Sequence, residues 1–163
     1  MALTPSGTAY HGDLSIRQIA EYNEITDLEA VKYIYQECFQ PPFTVAMLEA
    51  RLKRAKNSWV YLLNSEIVGY LMLDTDRGMP YLSQVATRST ARRRGVATGL
   101  ITHAAQYLRG NGAPDWWLQT EFNNPAQKLY FDLGFRVSGF QKHLYGTLQH
   151  GIEMTHILDT KQV

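Results

Sequence analysis

The feature that most constrains this chain is a junction. An apolar run, Tyr81-Leu82-Ser83-Gln84-Val85-Ala86-Thr87, leads into Arg92-Arg93-Arg94-Gly95-Val96-Ala97, and a helical run follows from Gly99 to Arg109. A strand that enters a helix through a basic, glycine-bearing turn builds an anion site. The first turn of a helix has N–H groups with no intrahelical partner, and the dipole leaves positive potential there. A phosphate at that end is held by several donors at once. Gly95 lacks a Cβ and admits close approach of the backbone. The arginines add forked donors suited to phosphate oxygens. The same three arginines also fit a solvated basic turn, and the junction alone leaves both readings open.

The rest of the chain frames this junction. With 163 residues, the sequence suits one domain with a sizeable core. Residues 1–14 lack periodicity and read as a mobile arm, which leaves a single domain over residues 15–163. Ser15 to Glu21 is expected to form a first strand. Asp27 is expected to cap a helix that runs to Phe39, with Pro41-Pro42 stopping it. Thr44 caps a second helix, with Val45, Leu48 and Leu52 on one side and Arg51, Lys53, Arg54 and Lys56 more exposed. That basic set reads as a solvated face, with docking of an acidic substrate as the alternative. Trp59–Leu63 and Ile67–Leu73 flank Asn64-Ser65-Glu66 as a hairpin. The strand over 81–87, the helix after the arginines and a strand over Trp116–Phe122 follow. Next come a short helix capped by Asn124 and two final strands, 136–145 and 152–158, joined by a loop holding Gly146 and Gly151. The order β-α-α-β-β-β-α-β-α-β-β predicts an α/β domain, a mixed central sheet of about seven strands with helices on both faces.

A formal net charge of +1 excludes a global field that would recruit nucleic acid or an anionic membrane. Any anion site must therefore be local. One cysteine, Cys38, excludes an intrachain disulfide and reads as a small core residue. The five histidines show no metal-ligand spacing, so no metal is expected. No apolar stretch reaches the ~20 residues that span a bilayer, and a reducing cytoplasm fits these properties. The oligomeric state, a homodimer included, stays open.

Two motifs together carry a family resemblance. Arg92-x-x-Gly95-x-Ala97 resembles motif A of the GNAT superfamily of acetyl-CoA-dependent N-acetyltransferases. Asn123-Asn124-Pro125-Ala126-Gln127-Lys128-Leu129-Tyr130, followed by Leu133-Gly134-Phe135, resembles its motif B, one helix and one strand later. The likeness extends more weakly from about Ile16 to Leu158. It implies the GNAT fold, in which the fourth and fifth strands splay apart. It also implies that acetyl-CoA is the cosubstrate, with its pantetheine arm along Val85, Ala86 and Thr87 and its pyrophosphate on Arg93, Arg94, Gly95, Val96, Ala97 and Thr98. In the family the Arg92 position shapes the turn and in some members touches phosphate. The Asn123 position often contacts the cofactor.

The implied reaction is acyl transfer to a primary amine. Val85 N–H is the expected oxyanion donor, and Tyr130 the expected general acid to the leaving thiolate, against a plain core tyrosine. The general base is less clear. A well-studied branch has a glutamate where this chain has Tyr81, and nothing from Pro80 to Thr87 is a carboxylate. Glu121, at the end of the fifth strand, and a water chain are the two substitutes. A water chain suits an α-amine, pKa about 7.7–8.0, better than a lysine near ~10.4. The stretch Phe39 to Thr44 resembles N-terminal peptide acetyltransferases, which makes a peptide N-terminus the leading acceptor, beside small-molecule amines. A non-catalytic sensor of CoA or acetyl-CoA on the same fold is the alternative function.

Overall fold

The computed structural model describes residues 15–39, 43–76 and 78–158. The expected arm over 1–14 and the Pro41-Pro42 stop lie outside them. The observed order is β1 (Arg17–Glu21), α1 (Glu24–Cys38), α2 (Val45–Arg54), β2 (Asn57–Leu63), β3 (Glu66–Asp74), β4 (Tyr81–Thr87), α3 (Val96–Gly110), β5 (Asp115–Glu121), α4 (Ala126–Asp132), β6 (Arg136–Gly146) and β7 (Gln149–Ile157). The seven strands form one sheet in the order β1-β2-β3-β4-β5-β7-β6. Every neighbouring pair is antiparallel except β4 and β5.

Alternation along the strands divides the core in two. Trp59, Leu71, Leu73, Leu82, Trp116 and Leu118 face α3, with Leu129 and Tyr130 of α4 and Leu133 just after it packed at the margin. Val60, Tyr70, Met72 and Ala86 face α1 and α2, meeting Val31, Ile34, Tyr35 and Leu48. These are the expected helices on both faces. The β2–β3 turn is the two-residue Asn64-Ser65, both at positive φ (51° and 67°), the twist that a tight hairpin needs.

Some boundaries and one register differ from expectation. Helix α1 begins a turn early, because Asn23 caps it: its side chain accepts from Ile25 N, and Asp27 Oδ2 accepts from Asn23 N at 2.8 Å. Asp27 is thus the return half of the cap. The last two strands meet at Thr147-Leu148, and Gly151 lies inside β7 opposite Glu121. Between Gln141 and Gly146 the β6–β7 register slips, so β6 carries a bulge that ends at Tyr145. Among the described residues no helix is long and apolar enough to cross a membrane, and no cluster of metal-ligating side chains occurs.

Gly69 shows how tightly β3 sits under α3. A Cβ there would come within 2.5 Å of Val96 Cγ1 and 3.1 Å of Ala86 O, and Val96 is the first residue of α3. Gly69→Ala is expected to cost about 1–3 kcal/mol by overpacking, read as a lowered midpoint in urea. An unchanged midpoint would mean that α3 is free to shift.

Candidate active site

Strands β4 and β5 pair at one place, Tyr81 with Trp117, with Trp117 N–H donating to Pro80 O at 3.0 Å. Beyond it they diverge. The bulge that slips β4 against β3 between Leu82 and Gln84 bends β4 away at this point. Backbone groups of β4 are thereby left facing a gap, and an extended amide-bearing chain can pair with them as a strand would. This is the expected splay.

Helix α3 opens at the gap. Its first intrahelical bond is Gly99 N–H to Gly95 O at 2.9 Å, which leaves the N–H groups of Val96, Ala97 and Thr98 directed out of the helix end. Gly95 caps it at φ 79°, and Arg93 stands at φ 61°. A Cβ on Gly95 would meet nothing within 4 Å, so the glycine is needed there for its φ. The alternating left-handed residues curl the turn into a nest of donors.

A cleft of about 530 Å³ follows from these features. Val85, Ala86 and Thr87 form one wall, Arg92, Arg93 and Gly95 to Thr98 the floor, and Asn124 to Ala126 with Leu129 the far side. Cys38 also lines it, with Sγ 3.3 Å from Thr87 O, so it stands half-buried between the cleft and the margin of the core. Arg92 holds the turn to α1, with Nη2 3.7 Å from that sulfur. Glu37 accepts from Ser89 N, and hydrogen bonding from the Ser89 side chain first and its backbone second, ahead of the charges of Arg88 and Arg92, holds its carboxyl below the usual range.

Arg94 is placed differently. Its guanidinium donates to Ser15 Oγ at 2.9 Å, and its carbonyl accepts from Arg17 Nη1. It ties the turn to β1, outside the cleft. Asn124 Oδ1 accepts from Ala126 N at 2.9 Å and so caps α4 while lining the cleft. Asn123 precedes it, exposed, and is not among the lining residues.

Tyr130 lies one turn along α4 from Ala126. Its ring packs edge-on against Phe135 at 6.1 Å, and burial pushes its phenol up to about 12. The phenol interacts with Tyr81 and Tyr145. Tyr81 stacks on Trp117 with ring centroids 4.6 Å apart. Glu121 is exposed at the end of β5, on the same sheet face as Trp117 by alternation, and its charge reaches Tyr145. The resemblance points to the stretch from Tyr145 to Gly151 as part of the acceptor side without a role for any one residue; Tyr145 lies in the β6 bulge. Arg51 was expected on a solvated face, yet it is half-buried and its charge reaches Tyr81 and Tyr145.

The family model described as Acetyltransferase (GNAT) family matches residues 28–135, which run from within α1 past the end of α4 and include every cleft residue. The chain belongs to the GNAT acetyltransferase family. It is accordingly an acyltransferase of the class that acetylates amines. A GNAT relative, an uncharacterized N-acetyltransferase of Methanocaldococcus jannaschii, is 24% identical over 68% of this chain and 72% of its own. The fold of this GNAT domain is similar to that of the ribosomal-protein-S18-alanine N-acetyltransferase from Escherichia coli, at TM-score 0.81 and 20% identity, covering 90% of this chain and 97% of that one. An aminoglycoside 6'-N-acetyltransferase complexed with coenzyme A matches at TM-score 0.79 and 12% identity, covering 90% and 99%.

Proposed function

We propose that this GNAT domain transfers the acetyl group of acetyl-CoA to a primary amine, on a peptide N-terminus or a small molecule. The observation that carries the reading is the coincidence of two things in one cleft, a strand edge released by the splay and a nest of helix-end N–H groups beside Arg93, with Tyr130 the next residue along α4 from the lining Leu129. The arm's amides suit the β4 edge, and the diphosphate suits the nest, where charge-assisted bonds to main-chain donors need no side-chain ordering.

Chemistry would proceed where β4 and β5 part. The amine nitrogen attacks the thioester carbon, and its C–N bond forms as the carbonyl π pair moves onto oxygen. Val85 N–H is the donor aimed at that oxyanion. The C–S bond then breaks, and the electron pair leaves on sulfur as thiolate, stabilised by the Tyr130 hydroxyl. The amine proton departs through Glu121 or water to solvent. Glu121 is open to solvent, and Tyr81 supplies no carboxylate, so the base requirement falls lightly on the protein. This arrangement favours an amine already largely neutral near pH 8, such as an α-amine.

Release of free thiol from acetyl-CoA, measured across a panel of peptide N-termini, amino acids, polyamines and aminoglycosides, tests this reading. Amine-dependent release with an acetylated product is expected. CoA binding without release for any amine would leave the non-catalytic sensor as the function.

A further inference from the structure

Strand β6 forms one edge of the sheet, and among the described residues it pairs only with β7. Nearly every residue along it is exposed. Val137 stands opposite Met154 and Phe140 opposite Ile152, so both point to the face of the sheet that carries α4. Phe122, just past β5, meets Phe140 edge-on with ring centroids 6.1 Å apart. Gln127 and Phe131 lie one turn apart on the same side of α4. Gln127 Nε2 donates to Phe122 O, and the Arg136 guanidinium lies 4.0 Å from the centre of the Phe131 ring. Phe122, Phe131, Val137 and Phe140 thus form one apolar row along the α4–β6 margin, each between 51% and 63% exposed.

Helix α4 is poorly covered on that side. It has seven residues and none of them is fully buried, whereas α3 buries six. A helix this short has little stability of its own and depends on packing. Yet it carries Ala126 and Leu129 of the cleft, while Phe131 turns its ring to solvent. With about half of each ring and most of the valine open, the row offers roughly 400 Å² of apolar surface per copy. A stable two-chain contact takes about 800 Å² from each partner, a little over half of it apolar. The row therefore supplies nearly the whole apolar share. The charges that border it are engaged within the chain: Lys128 with Asp132 at 2.7 Å, and Arg136 with Phe131 O and Phe135 O at 3.0 and 2.9 Å. These groups do not oppose a second copy brought up about a two-fold axis.

We infer that the α4–β6 face is the interface of a two-fold homodimer, each copy laying its Phe122–Phe140 pair and Phe131 against the same row of the other. Register slips at Val137 to Gly139 and at Gln141 to Gly146 blunt the β6 edge for strand addition. The contact is therefore face to face, and the two sheets do not merge. The second copy shields the outer side of α4 and, through it, the far wall of the cleft. The inference does not depend on which amine is acetylated.

Sedimentation equilibrium up to about 100 µM protein should give the mass of two chains, with a dissociation constant of about 10 µM or tighter. Val137→Glu combined with Phe140→Glu puts two carboxylates into the row and should raise that constant at least ~10²-fold. Both residues are exposed, so the far-ultraviolet circular dichroism of this variant should match wild type. Phe131→Ser, at the other end of the row, decides the matter if the first variant does not fold, and should weaken the dimer roughly tenfold. Ile25→Glu alters an exposed apolar residue on α1 and should leave the wild-type constant. The inference is overturned by a single-chain mass for the wild type across this range. It is equally overturned by a mass that keeps growing with concentration, which marks an open assembly. A dimer that the folded row variants leave unchanged, or that Ile25→Glu weakens as much as they do, overturns it too.

Discussion

A chain carrying Arg93→Glu and Gly95→Val together should lose CoA binding, with a dissociation constant raised roughly 10²-fold or more by calorimetric titration. Two effects add. Valine at Gly95 must either adopt φ 79° or rebuild the turn, and a β-branched residue in that region costs about 1–3 kcal/mol. Glutamate at Arg93 replaces an attractive charge on the cleft floor by a repulsive one. Both changes act on the same curl, so a diphosphate would meet fewer donors and an opposing charge. Arg94→Ala is the internal control. Its guanidinium bonds to Ser15 Oγ outside the cleft, so CoA affinity should hold while the tie to β1 weakens. Equal losses from Arg94→Ala and the double variant would mean that general basicity, not the nest, attracts the ligand. Unchanged affinity in the double variant would remove the phosphate site.

The legibility of this site in the sequence follows the range of the forces involved. Residues 81–87 alternate and are bounded by Pro80 and a basic turn, so β4 was readable to the residue. Gly95 was singled out for close backbone approach, whereas the structure uses it for its positive φ. Local geometry also decided Asn124, whose side chain reaches only two residues ahead. What was not readable depends on partners distant in sequence. The turn arginines look alike in a string, and only β1, some 77 residues away, draws Arg94 off while Arg92 and Arg93 stay at the cleft. The same holds for Arg51: helical periodicity places it beside Leu48, but its half-burial comes from a sheet the periodicity cannot see. Tyr145 depends on a register slip between β6 and β7, and one slipped residue exchanges the two faces of a strand. The splay itself was inferred from resemblance. Its physical cause, the bulge between Leu82 and Gln84, leaves no mark in an otherwise regular run.

Tyr130→Phe should lower kcat roughly 10²-fold with acetyl-CoA affinity near wild type. The substitution keeps the ring that packs on Phe135 and removes only the hydroxyl, so thermal stability is expected to hold. The kind of help the hydroxyl gives follows from its acidity. Burial raises the phenol to about 12, whereas a free thiol lies near ~8.5, so complete proton transfer to the leaving sulfur would be uphill by about 5 kcal/mol. On the proposed reading Tyr130 is a hydrogen-bond donor that stabilises charge growing on sulfur, and the thiolate takes its proton later from solvent. The sign of the pH dependence is fixed by this. The active form is the neutral phenol, and with its pKa raised from 10.0 to about 12 it stays neutral through the working range. The kcat profile should rise as the amine loses its proton and then stay level past pH 10, without a descending limb from this group. A fall centred near 10 that disappears in Tyr130→Phe would show an ordinary solvated phenol passing its proton directly. Wild-type turnover in the variant at every pH would return Tyr130 to the core, and the leaving thiolate would then depend on the α3 dipole and water.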